Sequence, residues 1–167
     1  MVLLVQYTLI FASVLALVAL GGCFSEHSGV INIGLEGIMV MGALGGALAM
    51  KFLPATTPGI VLFILIVLAS VVVGMVFSLL LGFAAIHFNA DQTLVGTALN
   101  LMGTAAAVVI VRAINVAENP DNVSSTVVYR QAKQVFLVKI GDFEFNWFML
   151  IIVLAIIASH IVLYRTK

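Results

Sequence analysis

The stretch SEHSGVINIGLEGIMVMGALGGALAM, residues 25–50, sets the frame for the whole chain, because it places Glu36 where a membrane span should run. From residue 28 to residue 50 there are 23 residues. At 1.5 Å per residue that length crosses about 30 Å of hydrocarbon. Its first half, however, carries Asn32 and Glu36 and is interrupted by Gly29, Gly34 and Gly37, while its second half is smoothly apolar. Polar, glycine-rich backbone at membrane depth is tolerated only where it is buried in protein or lines a cavity. The first half is therefore expected to face a bundle interior or a passage. Read as a helix, the stretch puts Asn32 and Glu36 four apart on one face, and Gly42 and Gly46 form a G-x-x-x-G spacing that lets another helix approach closely. Two roles stay open for the polar face: a translocation site or gating bond, or a hydrogen-bonded interhelical strut.

Composition extends that reading to all 167 residues: 63% are hydrophobic, only seven are basic and seven acidic, and mean hydropathy is +1.28. This is the composition of an integral membrane protein. Residues 1–25, 52–90, 92–111 and 145–164 contain no Asp, Glu, Lys or Arg, and each run can hold a span. A formal net charge of zero without a basic cluster argues against nucleic-acid binding and a polybasic lipid anchor. The single cysteine, Cys23, allows neither an internal disulfide nor a thiolate metal site. Residues 1–24 lack a basic n-region and a small-residue cleavage signal and are read as a permanent first span.

Working outward, residues 3–24 form an apolar helix expected to end at Gly21 and Gly22, with His27 in the polar connection that follows. Pro54 and Pro58 end the central segment, and residues 59–88 make a long lipid-facing helix closed by His87. In residues 92–111, Thr93, Thr97, Asn100 and Thr104 recur at steps of four, three and four, drawing a second polar stripe beside Gly96 and Gly103. Hydroxyls and amides in such a stripe bond across helices or to a solute; Asp91 and Gln92 are placed to cap the helix start. Residues 112–145 read as a polar loop, with Asn119, Pro120 and Asp121 as a turn and residues 135–145 as a small surface hairpin turning at Gly141 and Asp142. Residues 146–164, flanked by Trp147 and Tyr164, form the last span. The expected fold is all-α: a polytopic membrane helix bundle of about five segments in a single transmembrane domain, with the glycine-broken segment at 28–50.

Two motifs resemble a known family. Gly21 and Gly22, followed by Phe24-Ser25-Glu26-His27-Ser28-Gly29-Val30-Ile31-Asn32-Ile33-Gly34-Leu35-Glu36-Gly37, resemble a signature of the permease subunits of bacterial ABC importers, in the branch with nucleoside and simple-sugar permeases. His27 stands where arginine is commoner. Asn89-Ala90-Asp91-Gln92 with Gly96-Thr97-Ala98-Leu99-Asn100 resembles the second signature of that branch. The resemblance implies a multi-pass protein of the bacterial plasma (inner) membrane, covering about the first half of such a permease. The remainder would follow Lys167 or come from a second chain. It further implies partnership with an ABC ATPase subunit that holds the ATP and magnesium, a second permease subunit and a substrate-binding lipoprotein. With five crossings and Lys167 in the cytoplasm, Met1 and the 112–145 loop would lie outside.

On this reading no cofactor resides in the chain, and no covalent chemistry is expected of it. Asn32, Glu36, Thr93, Thr97, Asn100 and Thr104 would line or support the passage of a polar neutral solute, while Gly42, Gly46, Gly96 and Gly103 pack helices. The alternative is a small membrane subunit of a redox-driven proton-pumping complex, for which Glu36 would be the buried carboxylate. A proton path normally needs several ionisable groups in series.

Overall fold

The computed structural model describes residues 2–54, 56–128, 137–140 and 143–165. They fall into two compact units, Met1–Gly29 with Lys133–Lys167, and Val30–Ala132.

The first unit holds α1 (Val2–His27), a hairpin of β1 (Leu137–Ile140) and β2 (Phe143–Asn146), and α5 (Trp147–Arg165). Helix α1 runs through Gly21 and Gly22, where the sequence suggested an end. A glycine inside a helix costs about 1 kcal/mol relative to alanine but keeps its N–H donor, so it weakens the helix without stopping it. The stop is Gly29, whose φ is +85°. There the Ser28 N–H donates to the Phe24 and Ser25 carbonyls and the Gly29 N–H to the Glu26 carbonyl, satisfying the last turn. His27, expected in a loop, closes the helix with Nδ1 2.9 Å from the Cys23 carbonyl. Thr8 and Ser13 donate back to the Leu4 and Leu9 carbonyls at 2.8 and 2.6 Å, so neither hydroxyl needs water. Helix α1 packs on α5, on which Ile152 and Ser159 are buried two turns apart. The hairpin is antiparallel, with Leu137 opposite Asn146 and Ile140 opposite Phe143. Its expected turn residues, Gly141 and Asp142, lie outside the described residues.

The second unit is a three-helix bundle of α2 (Leu35–Phe52), α3 (Gly59–His87) and α4 (Gln92–Glu118), with α2 between the other two. Residues 28–34, expected to be helical, are not: α2 begins only at Leu35. Its 18 residues span about 27 Å, just short of the hydrocarbon core. Helix α4 outruns its expected end at residue 111 and continues to Glu118, because Asn115 is buried against its neighbours and not exposed in a loop. It stops where Asn119, immediately before Pro120, turns extended at φ −148° and ψ 112°. Helix α3 is 29 residues, about 43 Å, long enough to project from the membrane. One stripe of it, Leu62, Ile66, Phe77 and Leu81, is buried, and most of its other large apolar side chains are exposed.

Close backbone approach holds α2 in place. Four of its five buried residues are Gly37, Gly42, Gly45 and Gly46, so large side chains do not separate it from its neighbours. On the α4 side, a Cβ at Gly37 would run into the Leu99 carbonyl and stand 2.9 Å from the Asn100 Cα, and one at Gly103 would stand 2.8 Å from the Gly37 Cα. On the α3 side, Gly42 lies against the Ser70 carbonyl, Gly45 against Ala69 and Val73, and Gly46 against the Ser70 hydroxyl. Contacts that ascend together make α2 and α4 parallel, and contacts that descend make α3 antiparallel to α2. Phe77, Leu81 and Leu99 form the apolar core beside this seam, with Val30, Ile38, Met41 and Val95 packed on it.

A polar knot closes the far end. Lys51 Nζ, on a side chain 11% exposed, pairs with Glu118 at 2.9 Å and donates to Asn115 Oδ1 at 3.2 Å. Asn115 Nδ2 in turn donates to the carbonyls of Ser124 and Thr126, folding the segment after α4 back onto the helix end. Among the described residues, four helices are long and apolar enough to cross a membrane: Tyr7–His27, Leu35–Phe52, Gly59–His87 and Gln92–Glu118. α5 adds the shorter apolar stretch Ile152–Val162, so the architecture is the all-α polytopic bundle expected, with a small hairpin added.

Gly37→Ala and Gly103→Ala are expected to destabilise the bundle by about 1–3 kcal/mol, since backbone must give way, whereas Gly82→Ala, with nothing within 4 Å of the new Cβ, should be neutral or slightly stabilising. Thermal unfolding of the three variants in one detergent checks this. At the knot, Asn115→Leu should cost about 1–3 kcal/mol and Glu118→Gln, at an exposed carboxylate, less than about 1.

Candidate functional site: the broken entry to α2 and its open flank

A helix that starts inside a membrane exposes backbone N–H groups that water cannot reach, and each unmet group is costly there. At α2 the N-cap is Gly34, which has no side chain to supply an acceptor. Asn100 supplies it from α4. Its Oδ1 accepts the Gly37 N–H at 2.8 Å, and its Nδ2 donates to the Ile33 carbonyl at 2.9 Å. One side chain thus serves both sides of the break. About two turns earlier on α4, Gln92 Oε1 accepts the Ile31 N–H at 2.7 Å. Gly96 lies between them, and a Cβ there would stand 2.9 Å from the Gly34 nitrogen. The non-helical residues 30–34 are therefore pinned along the first turns of α4. Asp91 fixes where those turns begin, accepting the N–H groups of Thr93 and Leu94 at 2.8 and 3.2 Å, as its position suggested. Asn32 is different: its Oδ1 is buried and has no hydrogen-bond partner.

The orientation of the remaining polar residues follows from these contacts. On α4, Gln92, Gly96 and Gly103 touch the α2 segment, while Val95 and Leu99 turn toward Phe77 and Leu81 of α3. Thr93, Thr97 and Thr104 each follow a contact residue by one position, about 100° round the helix and away from α3. On α2, Gly37 faces α4 and Ile38 faces α3, so Glu36 is turned by the same step to the same side. Glu36, Thr93, Thr97 and Thr104 are all exposed, and Asn100 borders them half-buried. They form one polar flank along the α2–α4 seam, opposite α3.

The flank is not uniform in chemistry. Thr97 and Thr104 donate their hydroxyl protons to the carbonyls of Thr93 and Asn100 at 2.8 and 2.9 Å. Their oxygens still have lone pairs to offer. Glu36 is exposed in the first turn of α2. The flank offers chiefly acceptors. Among the described residues no group of His, Cys, Asp and Glu is arranged to hold a metal ion.

Of the residues singled out in the sequence, Asn32 and Asn100 both lie at the break, although Asn32 is not helical and shares no helix face with Glu36. Gly96 and Gly103 meet α2, and Gly42 and Gly46 meet α3. Sequence reasoning missed Gly37, the glycine in closest contact with another helix's backbone, and the role of Gln92. The spacing Gln92, Gly96, Asn100, Gly103 holds that signal, since it traces one helix face of small and amide residues. Lys51 and Asn115 had no such signal, being 64 residues apart.

Residues 4–167 match the family model described as the branched-chain amino acid transport system permease component. The chain is 45% identical over 116 residues to the guanosine ABC transporter permease protein NupQ of Bacillus subtilis, covering 67% of this chain and 35% of the relative. It is 34% identical over 110 residues to the nucleoside ABC transporter permease protein NupC of Lactococcus lactis, covering 66% and 34%. To the putative glucose ABC transporter permease protein TsgC13 of Haloferax volcanii it is 36% identical over 101 residues, covering 60% and 29%. The matched stretch thus spans about a third of the length of these relatives. No solved structure matches the chain. Nothing in these likenesses supports a subunit of a redox-driven proton pump. A bundle of membrane-spanning helices with a broken second segment, matched along nearly its whole length by one family model, belongs to the permease components of the branched-chain amino acid transport system family.

Proposed function

We propose that the chain is part of the permease of an ATP-binding-cassette importer and forms a section of the translocation pathway for a nucleoside, with a simple sugar as the second candidate. The observation that carries this reading is the exposed polar flank of Glu36, Thr93, Thr97 and Thr104, bordered by Asn100, along the α2–α4 seam. Its acceptors suit the ribose hydroxyls and exocyclic amines of a nucleoside. Individual bonds of this kind are worth about 0.6–2 kcal/mol in membranes, which suits a passage that must bind and release. The names of the two nucleoside-permease relatives favour a nucleoside over a sugar. Coupling to ATP would reside in a separate ATPase subunit carrying ATP and magnesium. A substrate-binding lipoprotein and a second permease subunit would complete the complex in the bacterial plasma membrane.

Uptake of radiolabelled guanosine and glucose by cells carrying the transporter tests this. Glu36→Gln and Thr97→Val are each expected to lower guanosine uptake by about 3–30-fold, the equivalent of one or two such bonds, with the amount of assembled protein unchanged. A fall in uptake that only tracks a fall in folded protein would instead make these residues structural. Glucose uptake that is saturable and abolished by the same substitutions would make a simple sugar the cargo.

A further inference from the structure

The N-terminus of α2 has two asparagines beside it and uses only one. Asn100 holds the Gly37 N–H and the Ile33 carbonyl in this state. Asn32, two residues before the N-cap, keeps its Oδ1 buried with no donor, and that oxygen lies 3.4 Å from where a Cβ on Gly34 would stand. It thus borders the space that a capping side chain at position 34 would occupy. Buried acceptors without a partner are costly and rare, and one lying next to an N-terminus that lacks its own cap calls for an explanation. Gly34 itself, at φ −77° and ψ 11°, is not in the extended conformation usual for an N-cap. Both conformations lie at negative φ and differ mainly in ψ, so one backbone rotation connects them.

We propose that the two asparagines exchange as caps of α2: Asn100 caps in the state seen here, and in a second state Asn32 caps from within its own segment. The exchange frees the Asn100 amide, which borders the open flank, to present a donor and an acceptor beside Thr97 and Thr104. Gly34 is the pivot. Residues 30–34 then shift against α4 while the Lys51 knot keeps the opposite ends of α2 and α4 together. The role of the second state in transport rests on the function proposed above, but the exchange of caps does not.

A double-mutant cycle separates the two. Thermal unfolding is measured for the chain in its native membrane assembly, as Asn32→Leu, Asn100→Ala and both together. Alone, Asn32→Leu removes an idle acceptor and is expected to leave the unfolding temperature unchanged or higher. In the Asn100→Ala background it removes the remaining cap and should lower that temperature by about 2–4 °C, or prevent folding while both single variants fold. The same shift in both backgrounds, or a lower temperature from Asn32→Leu alone, overturns the exchange. Guanosine uptake by Asn32→Leu gives a readout that needs no further variant: it should fall about tenfold or more with stability undiminished, and unchanged uptake would overturn the exchange as a step of transport. Absence of guanosine uptake by the unmodified protein would count against the proposed substrate, and the thermal cycle would still decide the exchange.

Discussion

Backbone polar groups have no water to turn to in hydrocarbon, and the structure around α2 follows from that constraint. The chain leaves α1 at Gly29 and travels five residues without helical hydrogen bonds before α2 begins. Such a segment is stable at depth only if another element supplies its partners. Helix α4 does so with two amides, Gln92 and Asn100, and with a glycine between them that allows the backbone to lie close enough for both to reach. Removing the glycine would separate the partners, and removing the amides would leave the break unmet.

The same economy explains how α2 is packed. Apolar side chains gain little from meeting one another in a lipid environment that is equally apolar, so close van der Waals contact carries association. Glycines supply it on both seams of α2, facing α4 through Gly37 and α3 through Gly42, Gly45 and Gly46. A short helix held by backbone contact, by an amide cap at one end and by the Lys51 knot at the other is a well-positioned element. The apolar core of Phe77, Leu81 and Leu99 covers one side of the arrangement, and the other side stays open.

Polar residues in the bundle then divide by what they bond. Gln92 and Asn100 are spent on the break, Asp91 on the start of α4, and Asn115 on the segment after it. Thr93, Thr97, Thr104 and Glu36 remain on the open flank with acceptor capacity in hand. That division, more than the presence of polar residues in spans, supports the proposal that a solute travels along the flank.

Much was legible in the sequence. Charge-free runs of span length, the prolines at 54 and 58 and the glycine-broken second segment determined a helical membrane bundle, since hydrophobic length and backbone propensity are local properties. The threonine periodicity showed that α4 has a polar face. What the sequence did not determine was where helices end and which polar side chains are engaged. Gly21 and Gly22 looked like a terminus but were only weak helix formers, and the true stop depended on the positive φ of Gly29. Asn32 and Glu36 looked like one face of a helix, yet the backbone between them is broken because Asn100, 63 residues beyond Gly37, makes the break tolerable. Tertiary structure alone decided this, because a hydrogen-bond partner that distant in sequence leaves no periodic trace beside the groups it satisfies.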